Sequence, residues 1–232
     1  METPPLTVLI PTYGRPTLLE RALASLSECE LPRSYRELVV IENGSRAGAE
    51  QIVADLPERM NARYMHRERG NKSYALNEAL ATIEDGLVVF FDDDVQVHSD
   101  TLQAYSQASA AHGCGHFFGG TVHVDREQAP PAWVEPSLPD SAKGYLADGR
   151  REDKYYLGFN WAAYSGELKN LGGFNPRFGP GASTSRRRNS KRRPSGSSNR
   201  PCPRFERRFP KAPIKMTSRA GGTSRRSTSR TS

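Results

Sequence analysis

The sequence predicts an α/β domain, a mostly parallel sheet flanked by helices, with a basic C-terminal tail. Three observations carry this. Short apolar runs alternate about four times with stretches of helical periodicity, the pattern of a parallel sheet covered by helices. Polar clusters follow three of those runs, at the strand ends where ligands bind in such sheets. The charge divides sharply. Of the 33 Lys and Arg residues and 26 acids, 16 bases but one acid, Glu206, fall between Arg186 and Ser232, which leaves 17 bases against 25 acids in residues 1–185.

Taken in order, Leu6–Ile10 is a short apolar run ended by Pro11, as in a buried strand. Thr17-Leu-Leu-Glu20 has capping-box spacing, and Leu19, Ala22, Leu23 and Leu26 then recur at helical spacing. Glu37–Ile41 is a second buried strand, stopped by Asn43-Gly44. Ala49, Ile52, Val53 and Leu56 stripe a second helix. Ala62–Met65 is a short third strand. Leu76, Ala79, Leu80 and Ile83 mark a third helix, closing at Asp85-Gly86. Leu87–Phe91 is the clearest buried strand. A helix follows Ser99 through Leu102 and Tyr105, and Phe117–Val124 is a further strand. Prolines 130, 131, 136 and 139 predict a loop or lid over 127–139, and a short helix is expected near Gly166–Asn170. Past Gly181 the sequence turns to Ser, Arg and Pro. The boundary is placed near Thr184, giving a domain over 1–184 and a tail over 185–232 whose low apolar content and high charge predict disorder.

The three cysteines, Cys29, Cys114 and Cys202, are odd in number and show neither disulfide nor metal spacing. A reducing, cytoplasmic location is expected, with peripheral attachment to a membrane as the one alternative. No signal peptide is evident, and no transmembrane segment, since the longest strongly apolar run falls far short of the ~20 residues that span a bilayer.

Chemistry is expected at the strand ends. Asp92-Asp-Asp94 follows Leu-Val-Val-Phe-Phe. Three adjacent carboxylates repel one another, so the end of a buried strand is a costly place for them without a positive partner. Hard oxygen ligands suit Mg²⁺ or Mn²⁺, commonly held by one or two carboxylates plus substrate phosphates. The competing reading is a solvated acidic turn. Pro11-Thr-Tyr-Gly-Arg15 admits two readings, a strand-to-helix turn or a place where Tyr13 stacks on a base. Glu42 suits a base or ribose contact, or a solvated turn. Gly70-Asn-Lys72 precedes a helix start, where backbone N–H groups and a lysine meet phosphate. No G-x-S-x-G or Walker A sequence is present, and none of the histidines 66, 98, 112, 116 and 123 has metal or triad spacing.

The order of these motifs resembles family 2 glycosyltransferases of the GT-A fold, a Rossmann-like architecture. The match runs through Val8-Leu-Ile-Pro-Thr-Tyr-Gly-Arg-Pro16, Glu37-Leu-Val-Val-Ile-Glu-Asn-Gly-Ser45, Gly70-Asn-Lys-Ser-Tyr-Ala-Leu-Asn77, Val89-Phe-Phe-Asp-Asp-Asp-Val95 and Leu171-Gly-Gly-Phe-Asn-Pro-Arg-Phe178, and covers roughly residues 5–182. The resemblance implies that Pro11, Thr12 and Tyr13 line a nucleotide pocket and that Glu42 contacts the base. It implies that Asn71 and Lys72 lie near the nucleotide. Asp92, Asp93 and Asp94 would form the D-x-D motif, with Asp92 near the ribose, Asp93 also in the nucleotide-sugar site and Asp94 on a divalent metal, Mn²⁺ or Mg²⁺. Asn160, Trp161, Gly172, Gly173 and Phe174 resemble the acceptor side. The implied reaction is inverting transfer of a sugar from a nucleoside diphosphate, a UDP-sugar by resemblance, to a hydroxyl of a glycan, lipid or small molecule.

The sequence departs from the family after Gly-Gly-Phe. An acidic motif that supplies the general base is expected there, followed by a helix. Asn175-Pro-Arg-Phe-Gly-Pro-Gly-Ala-Ser-Thr184 holds no acid, and the next is Glu206, so no catalytic residue is assigned. Asp125, Glu127, Asp140, Asp148, Glu152 and Asp153 are other carboxylates of that half. The abrupt change suggests that the tail is a frameshifted reading. Two other functions compete with a catalytically impaired glycosyltransferase: nucleic-acid binding, sequence-independent and salt-sensitive, through the tail, and nucleotidyl transfer, whose glycine-rich basic phosphate loop is missing here.

Overall fold

The computed structural model of the chain describes residues 3–120, 129–138 and 158–182. The tail, residues 121–124 of the expected sheet and the six further carboxylates lie outside them, as does the question of a change of reading frame.

The described elements are β1 (Leu6–Thr12), α1 (Pro16–Ser27), β2 (Tyr35–Asn43), α2 (Ala49–Ala54), β3 (Ala62–Arg67), α3 (Lys72–Thr82), β4 (Leu87–Phe91), α4 (Thr101–His112), β5 (Phe118–Gly119), β6 (Asn160–Tyr164) and α5 (Ser165–Asn170). They build one six-stranded sheet in the order β3-β2-β1-β4-β6-β5. β1 through β4 are parallel, and β6 runs antiparallel to both β4 and β5. The sheet is therefore mixed α/β and mostly parallel.

Both faces of the central strands are covered, which is why these strands read as unbroken apolar runs. Leu6, Val8, Ile10, Leu38, Val40, Val89 and Phe91 point to one face and pack under α1, α2 and α4 through Leu19, Leu23, Val53, Leu102 and Tyr105. The alternate residues Leu9, Val39, Ile41, Val88 and Phe90 point to the other face, under Ala75, Leu76, Ala79 and Leu80 of α3 and Leu168 of α5. Each fully buried Leu, Ile or Phe contributes about 1.5–3 kcal/mol relative to an exposed one.

The chain winds from β1 out to β3, then returns across the sheet to β4 on the other side of β1. α1 and α2 cover one face on the way out, and α3 covers the opposite face on the return. This is what right-handed crossovers demand when the direction of winding reverses. The reversal places a crevice at the carboxyl ends of β1 and β4.

Several boundaries differ from those read from the sequence. β1 continues through Pro11 and Thr12 instead of ending at Pro11, because its pairing with β4 stops at Leu9–Phe90 while its pairing with β2 runs on to Thr12–Glu42. One side of the strand is open there, where a residue without an N–H is tolerated. Thr17 does not cap α1. The helix starts at Pro16, with Arg15 in the capping position and no side-chain cap, since a guanidinium has no acceptor to offer the free N–H groups. α2 stops at Ala54, leaving Leu56 beyond it as a half-buried residue against the core. The expected strand over 117–124 is seen as Phe118–Gly119, and the expected lid contains a short 3₁₀ turn, Glu135–Ser137.

Cys29 lies beneath α1, its thiol donating to His98 O at 3.3 Å, and burial pushes its pKa up to about 12. Cys114 is exposed. In native protein at pH 8, iodoacetamide should alkylate Cys114 and spare Cys29, because the Cys29 thiol stays protonated and enclosed; both should react in denaturant, as read by peptide mass mapping.

Candidate nucleotide-sugar site

A cavity of about 590 Å³ opens at the carboxyl end of the sheet, lined by Pro11, Thr12, Tyr13 and Arg15 from the end of β1, Asn43 from β2, Gly70 and Lys72 before and at the start of α3, Asp92 after β4, and Pro180 and Gly181. The parallel strands deliver these groups together because their ends stop at one level of the sheet.

The aspartate triplet is compensated by cations from the chain itself. Asp92 pairs with the Lys72 ammonium at 2.5 Å. Asp93 is fully buried, accepting from the Thr12 hydroxyl at 2.7 Å and from the Arg15 guanidinium at 2.5 Å. The other arm of Arg15 reaches Asp94, half-exposed, at 3.1 Å. Burial pushes the Asp92 carboxyl above the ordinary carboxylate range; the Lys72 charge opposes this, and the neighbouring Asp94 and Asp93 charges add to it. Negative charge is thus concentrated where it is poorly solvated, a setting that favours a further cation.

The Cδ2–Cε2 edge of the Tyr13 ring lies against two glycines. A Cβ at Gly44 would come within 2.3 Å of its ring and one at Gly70 within 3.1 Å. Gly44 also has φ of 91°, so glycine is required there by backbone and by space. The Tyr13 side chain remains exposed.

Other predicted residues sit beside the cavity. Glu42 is buried, with one carboxylate oxygen accepting from Ala47 N at 2.7 Å and the other from Tyr64 Oη at 2.7 Å. Burial, followed by the bond to Glu42, pushes the Tyr64 phenol up, so Tyr64 stays a donor. Glu42 orders the turn after β2. Asn71 caps α3 by accepting from Tyr74 N, and its amide donates to Pro176 O and Gly181 O at 3.1 and 3.2 Å. Asn71 thereby holds the 176–181 segment against the cavity.

None of the residues expected on the acceptor side lines the cavity: Trp161 and Phe174 gather on the α3–α5 face of the sheet, whereas Asn160 turns to the α4 face. Trp161 stacks on Phe90 with centroids 4.3 Å apart, and Phe174 meets both rings edge-on. Asn160 pairs with Phe91 at the end of β4, and its side-chain oxygen accepts from Tyr105 Oη at 2.6 Å. Gly172 and Gly173 form the turn after α5, with Gly173 N donating to Leu168 O.

Residues that sequence reasoning left out are Arg15, Asn43, Asn77, Pro180 and Gly181. Arg15 stood within the quoted motif, and Asn43 followed Glu42. The Asn77 amide binds Phe174 reciprocally: Nδ2 donates to Phe174 O at 2.8 Å and Oδ1 accepts from Phe174 N at 2.7 Å. Only the fold brings residues 97 positions apart into such a pair.

For a divalent cation, the described residues gather no group of three or more His, Cys, Asp or Glu side chains. Asp92 and Asp94 still offer hard oxygen donors, and this set fits Mg²⁺ or Mn²⁺ completed by phosphate and water.

A family model for glycosyl transferase family 2 matches residues 7–172. The chain belongs to that family. The GalNAc(5)-diNAcBac-PP-undecaprenol beta-1,3-glucosyltransferase of Campylobacter jejuni is 28% identical over 172 residues, 71% of this chain and 50% of that protein. The mannosyltransferase PcManGT from Pyrobaculum calidifontis, solved with GDP-Man and Mn²⁺, superposes with a TM-score of 0.57 and 25% identity over 78% of this chain and 50% of that one. Staphylococcus aureus TarS 1-349, solved with UDP-GlcNAc, gives a TM-score of 0.57 at 20% identity over 74% of this chain and 48% of that one, a likeness of fold. The chain spans about half the length of each. Among the described residues of this family 2 member, no helix is long and apolar enough to cross a membrane.

Replacing Asn77 with Ala leaves the Phe174 N–H and C=O without their partner. The expected cost is about 1–3 kcal/mol of stability, read as a lower denaturant midpoint with unchanged slope.

Proposed function

We infer that the chain binds a nucleoside-diphosphate sugar, a UDP-sugar first among the candidates, in the cavity at the ends of β1, β2 and β4, and belongs to an enzyme that passes the sugar to an acceptor hydroxyl with inversion. The observation that carries this is the meeting, at the edge of one cavity, of an exposed aromatic ring, Tyr13, with two cation–carboxylate groups, Lys72–Asp92 and Arg15–Asp93–Asp94. An aromatic platform suits a base, and lysine and arginine suit a diphosphate. Similar structures, solved with GDP-Man, UDP-GlcNAc and UDP, support the same ligand class.

In this reading Tyr13 and Asn43 receive the base end of the donor, and Lys72 and Arg15 hold the diphosphate. Glu42 shapes the turn beside the base, its two oxygens bound by Ala47 N and Tyr64 Oη. Asp92 and Asp94 hold Mn²⁺ or Mg²⁺. When bound, such a cation neutralises charge on the leaving diphosphate. The step that needs a general base has no residue assigned: Gly179-Pro-Gly-Ala182 carries no acid. Donor binding is therefore expected to exceed turnover in this chain. The acceptor is a glycan, lipid or small molecule bearing a free hydroxyl.

Calorimetric titration of UDP and GDP, with and without Mn²⁺, tests this reading in wild type and Asp94→Ala. Saturable binding to wild type that needs the cation, and that drops at least tenfold in Asp94→Ala, is expected. A folded wild-type protein that binds neither nucleotide would sink it.

A further inference from the structure

We propose that Arg15 couples cation binding to nucleotide binding: its guanidinium bridges Asp93 and Asp94 in the metal-free chain, and its Asp94-facing arm exchanges that carboxylate for the diphosphate once Asp94 is taken by a divalent cation. The inference rests on the nucleotide-sugar reading above.

The two arms of Arg15 are unequal. The arm on Asp93 is anchored, at 2.5 Å to a carboxylate that is fully buried and also bound by Thr12 Oγ1. Breaking it would leave a buried charge short of a partner, which is strongly unfavourable. The arm on Asp94 is longer, at 3.1 Å, between side chains that are 47% and 46% exposed. Exposed pairs of this kind contribute little and exchange readily. The Arg15 backbone is itself fixed, because its carbonyl accepts from Leu19 N as α1 begins. The guanidinium is thus a rigid fork with one tine held and one free to change partner, and it lines the cavity where a diphosphate would lie.

The chemistry of the fork suits that exchange. Guanidinium carries five donors in a plane and binds phosphate as readily as carboxylate. Lys72 cannot substitute, since its ammonium makes a single-point pair with Asp92. Arg15 therefore competes with a cation for Asp94, so that a cation alone binds weakly. A diphosphate takes up the donors that Asp94 gives up, and by reciprocity each ligand strengthens the other.

The test is Mn²⁺ binding without nucleotide, followed by electron paramagnetic resonance, and UDP binding at saturating Mn²⁺, in wild type, Arg15→Gln and Arg15→Lys. Arg15→Gln should bind Mn²⁺ alone about tenfold more tightly and UDP about tenfold more weakly, the scale of one charge-assisted hydrogen bond. Arg15→Lys keeps the charge beside Asp93 and so protects the fold. Its compact ammonium lacks the planar fork by which Arg15 meets Asp93 and Asp94, and it should shift both affinities in the same directions by less. It carries the decision if circular dichroism shows Arg15→Gln unfolded. Mn²⁺ affinity that is unchanged or weaker in the folded variants overturns the competition, and unchanged UDP affinity overturns the contact with diphosphate. A wild type that binds Mn²⁺ but no nucleotide defeats the nucleotide-sugar reading instead, and the Mn²⁺ comparison still decides whether Arg15 and the cation compete.

Discussion

Three carboxylates in succession at the end of a buried strand form the constraint around which this site is arranged. β4 is apolar on both faces, so Asp92, Asp93 and Asp94 emerge where water can solvate them only on one side. Left alone they would repel one another and resist burial. The fold answers from two directions. The β1–α1 turn brings Thr12 and Arg15, and the start of α3 brings Lys72. Each aspartate then has its own setting: Asp92 partly exposed under a lysine, Asp93 wholly enclosed, Asp94 open beside one arm of an arginine.

That arrangement depends on the winding of the sheet. β1 and β4 are neighbours because the chain reverses direction after β3, and the reversal is also what moves α3 to the opposite face. Arg15 and Lys72 therefore approach the aspartates from opposite faces. A sheet wound in one direction throughout would bring both cations from one side and leave no crevice between them. Segment 174–181 closes the remaining wall. It is tied to α3 by Asn71, by Asn77, by Ser73 Oγ to Phe178 O, and by Lys72 N to Pro180 O. Gly181 sits so near Gly70 O that a Cβ there would approach to 2.5 Å. At Gly181 the wall of the cavity is set by backbone contact.

Membership of glycosyl transferase family 2 accounts for this layout without fixing what the whole protein does, since the chain spans about half of the relatives it resembles. The half described here is the one that gathers an aromatic platform, cations and carboxylates. Groups of this kind suit the donor binding proposed above, and none of them is assigned to deprotonate an acceptor.

The sequence by itself determined the alternation of strands and helices, the run Leu87–Phe91 to the residue, and the places where chemistry collects. These are local properties: apolar periodicity and the polar residues just past each apolar run. It also marked Pro11, Thr12, Tyr13, Lys72 and Asp92, all of which the structure brings to one cavity. Tertiary structure alone decided the rest. Asn71 and Glu42 carry the same residue types whether they face a ligand or a backbone, and packing turned both inward, Asn71 onto Pro176 and Gly181, Glu42 onto Ala47 and Tyr64. Asn160, Trp161 and Phe174 were likewise drawn into the core by the stack on Phe90 and the hydroxyl of Tyr105. No local pattern pairs Arg15 with Asp93 or Asn77 with Phe174, because those distances are set by strand order and crossover, which the sequence encodes only through the whole fold.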